Sequence, residues 1–208
     1  MPLKITHHTD RKTSSWAGGT TTELLIFPAR ATFVERNFSF RLSQATVDAE
    51  TSEFTPLPGV QRTLMILDGE LKLTHEGHHT MCLRPLDSDT FDGGWKTTAE
   101  GRCTDFNLMT RGETKGTLEG LSFRPGEQID IEKKSSELLF IYLFSGKVVA
   151  NLNNEAFPMT AGDFGEVLSP SGIFNAKVLE QVVLVVVRIK KSGVFSTAIR
   201  SSTTRLWK

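Results

Sequence analysis

Two arginines, Arg41 and Arg62, stand in segments otherwise rich in apolar residues. Their chemistry is the recognition of a carboxylate through a rigid, planar fork of N–H donors. Arg41 belongs to Phe38-Ser39-Phe40-Arg41-Leu42-Ser43-Gln44-Ala45, which alternates in period two. Phe38, Phe40 and Leu42 share one face of that strand, and Arg41 and Ser43 share the other. Asp105 and Asn107 recur at the same spacing in Thr104 to Met109, opposed to Phe106 and Leu108. A third cluster, Trp16-Ala17-Gly18-Gly19-Thr20-Thr21-Thr22-Glu23, joins an aromatic to hydroxyl and carboxylate groups. Gly18 and Gly19 would let the backbone approach a ligand closely. If the apolar faces pack against another layer, the polar ones look into a cavity. Arg41 and Arg62 would then hold an anion, and Ser43, Asp105, Asn107, Thr22 and Glu23 would meet amino, imino or hydroxyl groups. Trp16 and Phe91 would wall the pocket, with His75 beside it as a titratable partner. The structural alternatives are a solvated strand face for Arg41 and Ser43, and a glycine turn opening an edge strand for Gly18 and Gly19.

Other chemistry finds no support. There is no Gly-x-Ser-x-Gly, no Walker loop, no Gly-x-Gly-x-x-Gly and no Cys-x-x-Cys, so no catalytic residue and no cofactor is assigned. Cys103, near Asp105, has no histidine close by in its strand and reads as a packed thiol. With Cys82 it makes two cysteines, too few for a disulfide framework, and both are expected reduced and structural.

The elements that must position these residues are strands. Thr63 to Leu67, Leu71 to Thr74, Thr104 to Met109 and Val182 to Ile189 are short, apolar or alternating, and separated by glycine and polar turns. One unit recurs. Leu64 to Leu73 matches Ile141 to Ala150 in the order apolar strand, polar-Gly turn, alternating strand. Each copy leads to a polar hairpin (Glu76-Gly77, Asn153-Asn154) and then to an acidic turn (Pro85-Leu86-Asp87, Ala161-Gly162-Asp163). This order, with Pro170-Ser171-Gly172, resembles that of a cupin barrel. The expected fold is all-β, a bicupin of two cupin-like barrels with few short helices. The first barrel, with the pocket, spans 1–111, the second 112–191, and a basic tail 192–208.

Metal-dependent cupins place His-x-His and Glu before the turn glycine. Counting back from Gly69 gives Pro56, Pro58 and Arg62; from Gly146 it gives Lys133, Ser135 and Leu139. These do not make a metal site, Asn175 stands where a further histidine would, and the five histidines read as scattered surface residues. No metal is expected.

The chain has 208 residues, 24 basic against 24 acidic. That balance gives no footing to a wholesale nucleic-acid binder. No apolar run suits a membrane span and the N-terminus lacks a signal-peptide core, so a cytoplasmic protein is expected, monomeric or homodimeric. Residues 190–208 carry five basic side chains and no acidic one, leaving the remaining body acidic.

The ordered motifs Trp16-x-Gly18-Gly19-Thr20-x-Thr22-Glu23, Phe40-Arg41-Leu42-Ser43-x-Ala45 and Phe54-x3-Pro58-Gly59-x2-Arg62 resemble the HutD/Ves family. So do Leu67-x-Gly69, Phe91-x-Gly93 and Asp105-Phe106-Asn107-Leu108-Met109. The resemblance is dense over about residues 10–111. It implies a metal-free two-barrel cupin that binds a small carboxylate or amino-acid derivative, such as formylglutamate or formiminoglutamate, and acts in histidine utilisation. One departure is Ala17, where the family often carries asparagine. Two alternatives stand beside a binding protein: a metal-independent isomerase or lyase using Asp105 or His75 as acid and base, and a module that only presents loops to protein partners.

Overall fold

Strands account for every regular element among the described residues, apart from one 3-10 turn at His8–Asp10. The structure is a computed structural model and describes residues 2–152 and 155–190. The basic tail and the Asn153-Asn154 hairpin lie outside those residues. In chain order the strands are β1 (Leu3–Thr6), β2 (Thr13–Trp16), β3 (Gly19–Phe27), β4 (Phe40–Val47), β5 (Thr51–Glu53) and β6 (Val60–Gly69). Next come β7 (Leu71–His75), β8 (Thr80–Leu83), β9 (Ser88–Asp92), β10 (Thr97–Glu100) and β11 (Cys103–Arg111). The last are β12 (Gly116–Phe123), β13 (Gln128–Lys133), β14 (Glu137–Leu152), β15 (Glu155–Thr160), β16 (Phe164–Val167) and β17 (Gly172–Lys190).

Three antiparallel sheets result. A six-stranded sheet runs β2-β3-β4-β11-β6-β9, and a four-stranded sheet β5-β10-β7-β8 lies against it. Between them pack Leu64, Ile66, Leu71, Leu73 and Leu83. These two sheets are not joined by hydrogen bonds into a closed barrel. The six later strands and β1 form one seven-stranded sheet in which β14 and β17 run side by side for most of their length. Register shifts between Leu143 and Val148 bend this pair. Its two ends recruit different neighbours: β16 and β12 at one, β15 and β13 at the other. The curl encloses a second core of Leu139, Ile141, Leu143, Leu184 and Val186.

Alternation decides what lies between the halves. Phe40, Leu42, Phe106 and Leu108 leave the six-stranded sheet on the side facing Phe140, Tyr142, Val185 and Val187. Phe40 lies 5.9 Å from Phe140 and Phe106 5.4 Å from Tyr142, centroid to centroid. Val182 to Ile189 is apolar almost throughout because one face fills the curl and the other this interface. β1 does not stay with the strands that follow it. It pairs with β16, Leu3 opposite Val167.

The repeated unit has a matching geometry. Gly69 and Gly146 have φ of +79° and +85°. A Cβ on either would collide with a backbone carbonyl, of Arg102 in one half and Gln181 in the other. In the first half the Ile66 N–H donates to the Asp87 carbonyl, and the Leu86 N–H to the Ile66 carbonyl. In the second, Leu143 exchanges the same two bonds with Asp163 and Gly162. The acidic side chain closes each turn, Asp87 accepting from the Arg84 N–H and Asp163 from the Thr160 N–H. Both cysteines are free thiols; Cys103 is packed as expected, whereas Cys82 is exposed on β8 rather than structural.

Candidate functional site: an arginine-lined cavity

Cross-strand register assembles the site in rows. Met109 of β11 pairs with Arg41 of β4 on one side and Arg62 of β6 on the other. Asn107 pairs with Ser43, and Asp105 with Ala45, in the next two rows. Residues directly opposite in antiparallel strands share a face. Because Phe40, Leu42, Phe106 and Leu108 are claimed by the interface, Arg41, Ser43, Asp105 and Asn107 must face the other way. There they line a cavity of about 370 Å³ with Arg62. The two arginines are 7% and 8% exposed, Asp105 3% and Asn107 5%, so these groups do not sit on a solvated strand face.

The polar groups form two short chains. The Arg41 Nε donates to Glu23 Oε2 at 2.8 Å and a terminal nitrogen donates to Ser43 Oγ at 3.0 Å. A terminal nitrogen of Arg62 donates to Asn107 Oδ1 at 2.9 Å, and the Asn107 amide donates to Asp105 Oδ1. Arg62 Nε, fully buried, has no hydrogen-bond partner among the described residues. Aromatic faces hold both guanidinium planes: Phe33 lies 4.5 Å from Arg41, and Phe54 4.4 Å from Arg62. Burial, opposed by the charge on Asp105 and reinforced by that on Arg41, lowers Arg62 to about 10. Burial also raises the Asp105 carboxyl to about 7 against the pull of Arg62 and the Asn107 bond. Burial pushes the Cys103 thiol up to about 12, far from a nucleophilic thiolate.

The other residues expected here are placed differently. Trp16 lines the cavity and is itself 42% exposed. Thr22 bonds Thr13 across the β2–β3 hairpin at 2.7 Å, and Thr21 lines the cavity instead. Gly18 and Gly19 leave room for close packing, Gly18 under the Trp16 ring and Gly19 against β4. A Cβ on Gly18 would fall 2.1 Å from the Trp16 ring, and one on Gly19 1.9 Å from the Thr46 carbonyl oxygen. Phe91 lies in the core beneath Arg62, 5.4 Å from its guanidinium, and so supports the site without walling it. His75 is outside the cavity lining and is no surface residue. It is buried against Phe91, with Nδ1 2.8 Å from Thr97 Oγ1 and Nε2 3.0 Å from Asp89 Oδ2. Phe33, Phe54 and Leu57 were not anticipated as lining. Each sits in a segment between strands, where period-two reading has no purchase.

A divalent cation does not fit this cavity. The position of a cupin's glutamate ligand is taken by Arg62, a cation, and a second cation, Arg41, stands across the intervening strand β11.

Fold and site together define an all-β protein of cupin-like architecture with an arginine-lined cavity. By fold it is similar to oxalate decarboxylase from Bacillus subtilis, at TM-score 0.66, 8% identity, and 88% and 76% of the two chains covered. The HutD family profile matches residues 8–183, and the chain belongs to the HutD family. A conserved protein of unknown function from Pseudomonas aeruginosa PAO1 is similar over 91% of this chain and 99% of its own, with TM-score 0.77 and 22% identity. HutD from Pseudomonas fluorescens SBW25, solved in a formate condition, covers 91% and 100% at TM-score 0.65 and 20% identity. No curated protein matches the chain.

Proposed function

We propose that the chain is a small-molecule binding protein whose ligand is a small carboxylate or amino-acid derivative held in the arginine cavity. The carrying observation is the pair of buried guanidinium groups in one cross-strand row, with a fully buried Arg62 donor left unpaired. A buried unpaired donor is destabilising, and a carboxylate oxygen would satisfy it. Asp105, Asn107 and Ser43 would orient an amino, imino or hydroxyl group on the same ligand. The cavity volume suits a molecule of amino-acid size. Membership of the HutD family and a relative solved in a formate condition favour formylglutamate or formiminoglutamate, and a role in regulating histidine catabolism. We read the two halves as duplicated cupin units, on the strength of the matching turns at Asp87 and Asp163.

The test is a thermal-shift and calorimetric series with formylglutamate, formiminoglutamate, glutamate and formate. A ligand at a hundredfold excess over its dissociation constant adds about 2.7 kcal/mol of stability. Arg41→Ala and Arg62→Ala should each weaken binding by about tenfold or more, the worth of a charged hydrogen bond. Undiminished binding in both variants would remove the arginines from the proposal.

Asp105 supports a second reading. A fully buried carboxyl that titrates at about 7 beside Arg62 is suited to proton transfer in a metal-independent isomerase or lyase. Turnover abolished in Asp105→Asn, with ligand binding retained, would select that reading.

A further inference from the structure

We propose that His75, His79 and Asp89 form a binding site for one divalent cation of the zinc class, separate from the arginine cavity. Their ligand atoms all lie within 4.8 Å of one another. Asp89 Oδ2 stands 3.0 Å from His75 Nε2 and 2.9 Å from His79 Nε2. Three donors around one tetrahedral ion at ordinary zinc distances are separated by roughly 3.3 Å, so the two separations from Asp89 need to widen by only a few tenths of an ångström to admit an ion. Two imidazoles and a carboxylate, with one side open to solvent at His79, form an open site of borderline ligands.

The local fold builds this arrangement. His75 ends β7 and His79 precedes β8, and the turn between them closes by the His75 N–H donating to the His79 carbonyl. Gly77 sits in that turn at φ +78°, and the two rings come to 4.6 Å. Asp89 arrives from β9, in the opposing sheet. In the Nδ1–H tautomer His75 donates to Thr97 Oγ1, whose hydroxyl donates in turn to the Trp95 carbonyl, and Nε2 then offers its lone pair to a metal. His78 is engaged elsewhere, stacked on Trp95 at 3.7 Å, and provides an internal control. A bound ion would tie β7 and β8 of one sheet to β9 of the other, so binding reads out as stability, independently of any ligand in the cavity.

The experiment uses full-length protein without an affinity tag, stripped by chelator and titrated with Zn²⁺ by calorimetry, with Co²⁺ as a visible-absorbing substitute. The expected result is one ion per chain, a rise in Tm with Zn²⁺ and none with Mg²⁺. His79→Ala and Asp89→Asn should each weaken binding at least about tenfold, while His78→Ala binds as the parent does. His79 is 38% exposed at its side chain, so its removal leaves the core intact and circular dichroism can confirm the fold. No saturable uptake by the parent protein, or equal uptake by His79→Ala, overturns the site.

Discussion

Asp105 and Arg62 oppose each other inside a cavity that favours neither charge. The sign of the consequence follows from the raised carboxyl. Asp105 ionises near 3.8 in an unfolded chain and at about 7 in the fold. Between those values the folded protein keeps a proton that the unfolded chain has lost, so stability falls as pH rises through that window. The slope is at most about 1.4 kcal/mol per pH unit. Buried His75, held below its ordinary range by burial, works in the opposite sense on acidification, so the parent profile alone is ambiguous. The difference from Asp105→Asn cancels it. Urea unfolding from about pH 8 to about pH 5 should show the parent gaining on that variant. Parallel profiles would mean that Asp105 ionises as freely as an exposed carboxylate. At this scale the sequence was partly legible. Arg41, Ser43, Asp105 and Asn107 could be placed on a common face because each alternates with an aromatic or leucine that has to be buried. His75 could not be placed, since its partners Thr97 and Asp89 come from different strands and no local pattern connects them.

Single strands carry two jobs at once, and β4 is the clearest case. Its odd-numbered polar residues face the cavity while Phe40 and Leu42, wholly buried, face the other half of the chain. Phe40 stacks on Phe27 at 5.4 Å and meets Phe140 at 5.9 Å. Phe40→Ala should therefore destabilise the protein by about 3–5 kcal/mol through lost burial and a residual cavity. It should also lower ligand affinity, because Arg41 and the strand that aims it share one backbone. Denaturant midpoints and binding isotherms on the same variant check both. Unchanged affinity at reduced stability would show that the neighbouring strands hold Arg41 in place by themselves. The alternation of β4 and β11 and the repeated glycine turn were readable in one dimension. The aromatic faces over the arginines were not, because Phe33 and Phe54 lie between strands and reach the cavity only through the path of the loops.

The molecule as a whole is built around a shared apolar layer. Phe40, Leu42, Phe106 and Leu108 on one side need Phe140, Tyr142, Val185 and Val187 on the other. A chain ending at residue 111 would expose that layer and should associate or bind a hydrophobic dye rather than stand as a monomer. Size-exclusion chromatography of residues 1–111, alone and mixed with residues 112–208, tests this; a soluble monomer of the first piece contradicts it. The repeated turn was visible in the sequence because both stretches need the same glycine and acidic residue. The course of β1 was not, since four residues with an ordinary apolar pattern carry no mark of a partner in β16. That pairing also sets an order of events in synthesis. Leu3 leaves the ribosome long before its partner Val167 does. Sheets built from β2 to β11 can close while the chain is still growing, whereas β1 must remain unpaired until β16 has been made. Its docking is thus a clasp that fastens after the sheets it reaches past, over a very long loop of chain.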